Sequence, residues 1–291
     1  MPAEKIIDFK VDDLTVYKTV ISTFEVIAAS AMQKVRGFVL ASREFHADLN
    51  VVYREVRTAY QRQLKKIERR KKLLSAVMPV GFFKASRTIY VYLSANTGLY
   101  GGIIAKTFET FLGEIKKTKP DEIAIIGKVG EALFKTYHPQ EGFTYFDFPD
   151  AKISEDALKH ISKYLAQFGE VVVFHGSFKS ILTQIPVYYS VSGSARSSET
   201  DNAAPADQYR FEPALADIFI FFETEIFASL LEQVFHESRL AKLASRLVLL
   251  DSASSNIDKY LSHAIYSEQK SRHREFNRKL TNTYSAFALW Q

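Results

Sequence analysis

Residues 14–63 read LTVYKTVISTFEVIAASAMQKVRGFVLASREFHADLNVVYREVRTAYQRQ. Stepped by alternate threes and fours, they give Leu14, Tyr17, Ile21, Phe24, Ala28, Ala31, Val35, Phe38, Ser42, Phe45, Leu49, Val52, Val56, Ala59 and Gln63. Nearly every stop is apolar or small. A mean step of about 3.5 residues is the seam of a left-handed coiled coil. No proline interrupts the stretch, and its only glycine is Gly37. About 50 residues rising 1.5 Å each make a helix of roughly 75 Å. One helix cannot bury such a seam on itself, so a partner of similar length is required. Leu240, Leu243, Leu247, Leu250, Ser254, Ile257, Leu261 and Ala264 form a second seam of the same period. The two segments are expected to pair antiparallel. A helix pair in an ordinary bundle would show the same period, but ordinary helices average only about a dozen residues. On this reading, aspartate at Phe24 or Leu250 puts a charge in the seam and destabilises the pair.

The chain between the seams has another rhythm. Thr88 to Ser94 (TIYVYLS) alternates and reads as a strand, followed by the Gly98-Leu99-Tyr100-Gly101-Gly102 turn and a helix from Ile103 to Lys117. Ile123 to Ile126 reads as a second strand, with a short helix around Glu131 to Thr136. Ser154 caps a helix running to about Phe168, helped by Glu155 and Asp156 in its first turn. Val171 to Phe174 and Ile181 to Val191 read as two more strands. Strands alternating with helices imply a small α/β (Rossmann-like) domain with a largely parallel sheet, inserted between the halves of the coiled coil. The expected division is residues 1–75 as the first coiled-coil helix, 76–208 as the α/β domain and 209–291 as the last helix and its tip. Ser192 to Gln208 is small and polar and reads as a mobile loop.

The 291 residues are 47% hydrophobic, enough for a real core, with net charge +5 and pI near 9.1. That charge is too weak by itself to imply nucleic acid. There is no cysteine, which excludes disulfides and thiolate metal sites and suits a reducing compartment. Met1 to Lys10 carries Glu4 and Asp8 and no apolar run, so no signal peptide is expected. Apolar runs such as Ile218 to Phe222 fall far short of a membrane span, and a soluble chain is expected.

Catalytic signatures are missing. Gly98, Gly101 and Gly102 do not match the G-x-G-x-x-G dinucleotide fingerprint, and Gly102 is followed by Ile103 and Ile104 where a phosphate loop needs lysine and a hydroxyl. A tight structural turn is the better reading of Gly98, Leu99, Gly101 and Gly102. His46, His138, His160, His175, His236, His263 and His273 show no metal-ligand spacing. Ser177 lacks the nucleophile elbow. No cofactor or metal is expected. A nucleotide-dependent α/β enzyme is the remote alternative, and ATP or NAD binding by the isolated chain would mark it.

Two basic segments remain. Lys65, Lys66, Arg69, Arg70, Lys71 and Lys72 close the first helix. A solvated helix end, favoured by the helix dipole, accounts for them; docking on an acidic or polar surface is the alternative. Near the end, Arg272, Arg274, Arg278 and Lys279 are tempered by Glu268 and Glu275, while Phe276, Leu280, Tyr284 and Phe287 recur at three or four residues. A tip both basic and aromatic fits a protein surface with acidic and apolar parts. A basic coiled-coil nucleic-acid binder, recognisable by salt-sensitive DNA binding, is the other alternative.

Six short motifs in one order resemble the gamma subunit of the rotary F-type ATP synthase over almost the whole length. Gly98 to Gly102 is similar to that family's GLCGG-like turn. Ala28-Ala29-Ser30 resembles its VAASK segment, and Ala41-Ser42-Arg43 its AASR. Tyr209 to Pro213 (YRFEP) resembles Y-x-x-E-P before the last helix. Val171 to Gln184, with Ser177-Phe178, resembles a strand followed by N-K-F, and Asp251 to Ile257 a TDNA-like stretch. Glu25 and Ala31 stand where the family has lysines, Ser252 where it has asparagine, and Arg272 to Phe276 only echoes its ITxEL motif.

The resemblance implies a central-stalk rotor, itself non-catalytic, inside a ring of three alpha and three beta subunits, with a foot on epsilon and the membrane c-ring. It implies coupling of proton or ion transport to ATP synthesis or hydrolysis at beta. A specialised ATP-driven motor built on the same stalk is an alternative, given the substituted positions. Glu25, Ala28, Ala29 and Ser30 would form a swivel region against the ring. Arg272, Arg274, Glu275, Phe276, Arg278, Lys279, Leu280, Tyr284 and Phe287 would be the tip touching the stator, and Lys65 to Lys72 the foot. The complex would sit on the cytoplasmic face of a bacterial or equivalent membrane, this chain being peripheral, with no nucleic-acid partner.

Overall fold

A computed structural model describes residues 11–70, 87–138, 140–150, 153–191 and 215–288. The elements in chain order are α1 (Val11–Arg70), β1 (Thr88–Leu93), α2 (Ile103–Thr118), β2 (Glu122–Ile126), α3 (Lys128–Tyr137), β3 (Thr144–Phe146), α4 (Glu155–Leu165), β4 (Glu170–Phe178), β5 (Gln184–Ser190) and α5 (Leu215–Ala288). The chain divides into two compact units, Met1–Ser30 with Arg246–Gln291, and Ala31–Ser245. Both boundaries fall inside α1 and α5.

The larger unit is built on a five-stranded sheet of order β3-β2-β1-β4-β5. β1 pairs parallel with β2 and with β4, and β2 parallel with β3. β5 closes the edge antiparallel to β4. The alternation of TIYVYL decides the layers. Tyr90 and Tyr92 face a core with Phe108 and Phe111 of α2 and Phe134 of α3. Ile89, Val91 and Leu93 face the opposite core, with Ile161 and Leu165 of α4 and Leu231 and Phe235 of α5. This period-two sorting of one buried strand makes a three-layer sandwich with helices on both faces. β3 is a strand that the sequence reading did not include; three residues are too short to show a period. Ser154 caps α4 as expected, its Oγ accepting from the Ala157 amide at 3.4 Å, with Glu155 and Asp156 in the first turn.

Within the larger unit α1 and α5 run antiparallel. Phe38 packs against His236 with the rings tilted by 43°, and His46 Nε2 lies 3.3 Å from Ser229 Oγ, so numbers rise along one helix as they fall along the other. In the smaller unit the helices are tied where Lys18 donates to Asp258 Oδ1 at 2.6 Å. On α5 the expected stops Leu240, Leu243 and Leu250 are buried and Leu247, Ser254, Ile257, Leu261 and Ala264 partly so, although Ala241, Lys242, Ala244 and Ser245 are buried as well and the stripe stands out only from Leu250 onward.

The seam of α1 is half corrected. Leu14, Ala28, Val35 and Val56 are buried as expected, with Ile21, Ser42 and Leu49 partly so. The stops between them are displaced by one residue. Met32, Val39 and His46 are buried, and Lys18 and Glu25 partly buried, whereas Tyr17, Phe24, Phe38, Phe45 and Val52 are exposed. A four-then-three rhythm has the same mean step as three-then-four, so periodicity alone does not choose between them. The sequence reading followed the more apolar set. The helix buries the other and leaves Tyr17, Phe24, Phe38 and Phe45 largely exposed, Phe38 with part of its ring on His236.

The segments Met78 to Gly81, Ser192 to Gln208 and Tyr209 to Pro213, read as a helix break, a mobile loop and the restart of order, lie outside the described residues. Among the described residues, no helix is long and apolar enough to cross a membrane.

Candidate functional site

An open doubly wound sheet receives ligands outside the carboxyl ends of its strands, where the winding reverses. In this sheet the reversal lies between β1 and β4. The chain itself fills that place. Lys242 of α5 donates to the Ser94 carbonyl at 2.7 Å, lies 3.8 Å from Asp150 Oδ1, and stands 5.9 Å from the centre of the Tyr100 ring. Burial pushes its ammonium down to about 8, Arg239 adding to the effect and Asp150 opposing it. Asp150 Oδ2 accepts from the amides of Asn96 and Thr97 and from the Thr97 hydroxyl. The glycine turn packs against the same helix. Gly101 has φ +61°, and a β-carbon there would lie 2.5 Å from Ser245 Oγ. A β-carbon on Gly176 of β4 would lie 2.6 Å from Ile103. The cavity left beside Ser94, Asp150 and Lys242 has a volume of about 20 Å³, room for a water molecule and far too small for a nucleotide. Leu99, also at positive φ, projects outward from the turn and is exposed. Among the described residues no cluster of His, Asp and Glu could hold a metal ion.

A second node ties α1 to the sheet and to α5. Glu237 accepts from Arg43 Nε at 2.9 Å and from Arg43 Nη2, from Ser177 Oγ at 2.9 Å and from the Phe178 amide at 2.9 Å. Arg43 Nη2 also donates to the Phe178 carbonyl at 2.9 Å. Burial alone would raise the Glu237 carboxyl. The donors from Arg43, Phe178 and Ser177 outweigh it and hold the group below its ordinary range. The sequence reading singled out Arg43 through its motif. It missed Glu237, Asp150 and Lys242, which carry no local signal because their partners are distant in the chain.

The surfaces left uncovered are apolar, aromatic and basic. On the smaller unit, Tyr17, Val20, Phe24 and Ile27 stand in a row along α1 and are exposed. Glu25 and Ala29 beside them are partly buried, Ser30 is exposed, and Ala28 lies in the seam. Beyond Ala264 every described side chain of α5 up to position 285 is exposed. Phe276, Leu280 and Tyr284 show large apolar areas there. Arg272 donates to Glu268 at 2.6 Å, and Lys279 lies 2.9 Å from Glu275, both pairs within one helix turn. Arg274 and Arg278 are exposed on the same segment. The backbone at Phe287 is helical, while its side chain lies outside what the structure describes. Lys65, Lys66, Arg69 and Arg70 end α1, with side chains likewise outside it, and Lys71 and Lys72 lie outside the described residues.

On this segment Ile265, Tyr266, Phe276, Leu280 and Tyr284 stand exposed among polar and charged neighbours, a surface suited to contact with another protein. Comparison with known proteins names the kind of assembly. Residues 5–288 match the family model described as ATP synthase. The chain is similar to the ATP synthase gamma chain of Ruthia magnifica subsp. Calyptogena magnifica, 22% identical and covering 99% of each chain. It is also similar to the ATP synthase gamma chain of Desulforamulus reducens, 24% identical over 88% of each. Its fold is like that of a central-stalk chain in the Tetrahymena thermophila mitochondrial ATP synthase. That match has a TM-score of 0.51 and 16% identity, covering 81% of this chain and 99% of that one. A chain of the Euglena gracilis mitochondrial ATP synthase, in a structure with its c-ring, gives a TM-score of 0.51 at 12% identity, covering 89% and 94%. The chain belongs to the ATP synthase family, as the gamma subunit of the F-type central stalk.

Proposed function

We infer that the chain is the turning shaft between an ion-driven c-ring and a catalytic ring of three alpha and three beta subunits, and that it holds no catalytic site of its own. The observation that carries this reading is the segment of α5 beyond Ala264, helical to Ala288 with every described side chain out in solvent. Inside a ring, Phe276, Leu280, Tyr284 and Phe287 would slide on an apolar sleeve. Arg272, Arg274, Arg278 and Lys279, with Glu275 among them, would meet acidic loops of beta. Pairs at an exposed surface are weak, so contacts are made and broken without trapping the shaft. An asymmetric shaft offers each beta subunit a different face and so biases its open or closed state; the coupling is conformational. Glu25, Ala29 and Ser30, with Phe24 and Ile27 beside them, are the matching surface of α1.

The other end serves as the foot. Lys65, Lys66, Arg69, Arg70, Lys71 and Lys72 would face the c-ring or the epsilon subunit. The chain would then be peripheral, held to the cytoplasmic face of its membrane only through the complex. The Gly98 to Gly102 turn is structural in this account, because Gly101 gives α5 a close approach that a side chain would block.

The test is reconstitution of the alpha and beta subunits with the full chain and with a chain truncated before Arg272. The truncated chain is expected to form a weaker complex with lower ATP turnover. Undiminished stability together with undiminished turnover would show that the tip does not engage the ring.

A further inference from the structure

Two histidines sit where α1 and α5 meet in the larger unit. His46 of α1 is buried, with Nε2 lying 3.3 Å from Ser229 Oγ. His236 of α5 packs its ring on Phe38 of α1, the centroids 4.2 Å apart, with Nε2 3.7 Å from Glu232. In both rings Nδ1 is buried and has no hydrogen-bond partner among the described residues. A neutral imidazole tolerates this, because one ring nitrogen is then a bare acceptor. A protonated imidazole does not, because both nitrogens become donors and one of them would be a buried N–H aimed at nothing.

Among the described residues, the charged groups facing the rings do not compensate two cations. Glu232 of α5 acts on both histidines. Arg239, also of α5, opposes charge on His236. From α1 the neighbours are aromatic, Phe38 against His236 and Phe45 beside His46. The next carboxylate along α5, Glu237, is already held by Arg43.

We propose that this contact is an acid-sensitive joint: protonation of His46 and His236 opens the α1–α5 pairing of the larger unit while the α/β sheet stays folded. Burial lowers both imidazoles, and it takes His236 down to about 4 with Arg239 adding to the effect. The unfolded imidazole takes its proton near pH 6.5. A histidine lowered in the folded state therefore gives its full contribution above pH 6.5 and loses it as the pH falls toward 4. At pH 5 His236 alone accounts for a shift of about thirtyfold toward the open form. Glu237, held below its ordinary value of 4.5, loses its contribution only below about pH 4.5, so the two windows separate. His175, buried in β4 and also lowered, weakens the sheet itself as the pH falls, so the protection of β1 is the reference against which that of α1 is read.

The experiment is amide hydrogen exchange on the full chain at pH 7.5 and 5.0, corrected for the intrinsic rate, for wild type and for His46→Gln/His236→Gln. In the wild type, amides of α1 around His46 are expected to lose about tenfold or more of their protection relative to β1 as the pH falls. The double variant is expected to lose less than about twofold. An equal loss in the variant, or no loss specific to α1 in the wild type, would overturn the proposal. Should the double variant not fold, His236→Gln alone serves: it is expected to lose less protection than wild type, and an equal loss overturns the proposal.

Discussion

The carboxylate of Glu237, on α5, is held by the guanidinium of Arg43, on α1, across 194 positions of sequence, with Nε 2.9 Å from Oε2. The same carboxylate accepts from Ser177 and from the Phe178 amide, where β4 ends. One carboxylate therefore fixes two helices and a strand. Arg43→Ala leaves a buried anion without its cation. The expected cost is about 2–3 kcal/mol, at the low end for a broken buried pair because the guanidinium is more than a third exposed. Urea unfolding measures it, and a loss below about 0.5 kcal/mol would remove the node from the account. Because Glu237 is lowered in the folded state, the node contributes above its unfolded value of 4.5, and that contribution fades as the pH falls below it.

Lys242 carries the opposite sign. Its ammonium is lowered from 10.5 to about 8 by burial. The unfolded chain holds that proton more tightly, so burial costs stability at pH 7 and the cost disappears as the pH rises from 8 to 10.5. Lys242→Met loses the hydrogen bond to Ser94 O, and Asp150 keeps its three donors from Asn96 and Thr97. Because the titrating group is gone, the variant is expected to be about 2 kcal/mol more stable relative to wild type at pH 7 than at pH 10.5, whatever the lost hydrogen bond and the uncovered Asp150 carboxylate cost at both values, which thermal melts will show. A variant less stable at pH 7 than at pH 10.5, relative to wild type, would contradict this reading.

The corrected seam separates two aspartate substitutions that the three-then-four pattern treats alike. Leu250→Asp places a charge at a buried position and is expected to cost several kcal/mol, about 3–5. Phe24 is 47% exposed, so Phe24→Asp is expected to change the stability of the isolated chain by less than about 1 kcal/mol. The same variant should weaken assembly with the alpha and beta subunits. Melting of the isolated chain together with a reconstitution titration checks both halves. Equal destabilisation by the two substitutions would restore the original phase.

The glycine turn makes a sharp contrast. At Gly101, φ +61° and a β-carbon 2.5 Å from Ser245 Oγ make Gly101→Val strained and crowded, at an expected cost of about 2–4 kcal/mol. Nothing lies within 4 Å of a β-carbon at Gly98, so Gly98→Ala is expected to stay within about 0.5 kcal/mol of wild type. Differential scanning calorimetry of the two variants decides it, and similar melting temperatures would show that α5 does not press on the turn.

The sheet was legible because β1 and β2 are buried runs of β-branched and aromatic residues, whose period of two survives any packing detail. β3 was not, since Thr144, Tyr145 and Phe146 are too few to carry a period. The α1 seam was legible in its mean step and wrong in half its phase. Tyr17, Phe24, Phe38 and Phe45 are more apolar than Lys18, Glu25 and His46, and a reading based on hydropathy picks the former. In a chain that works inside an assembly, the most apolar stripe of a helix need not face its own core. Arg43 with Glu237, and Lys242 with Ser94, are contacts between distant segments. Nothing local in the sequence announces them.

The central claim is that the chain turns inside its ring. The direct measurement is single-molecule rotation of the reconstituted complex, with alpha and beta fixed to glass and a bead on the α/β domain of this chain. The absence of cysteine makes labelling clean: a single cysteine at Gly142, where a β-carbon meets nothing within 4 Å, accepts the bead. With ATP the bead is expected to turn in one direction in discrete steps, and the tip-truncated chain to turn more slowly or detach. A ring that hydrolyses ATP at full rate while the bead stays still would contradict the account.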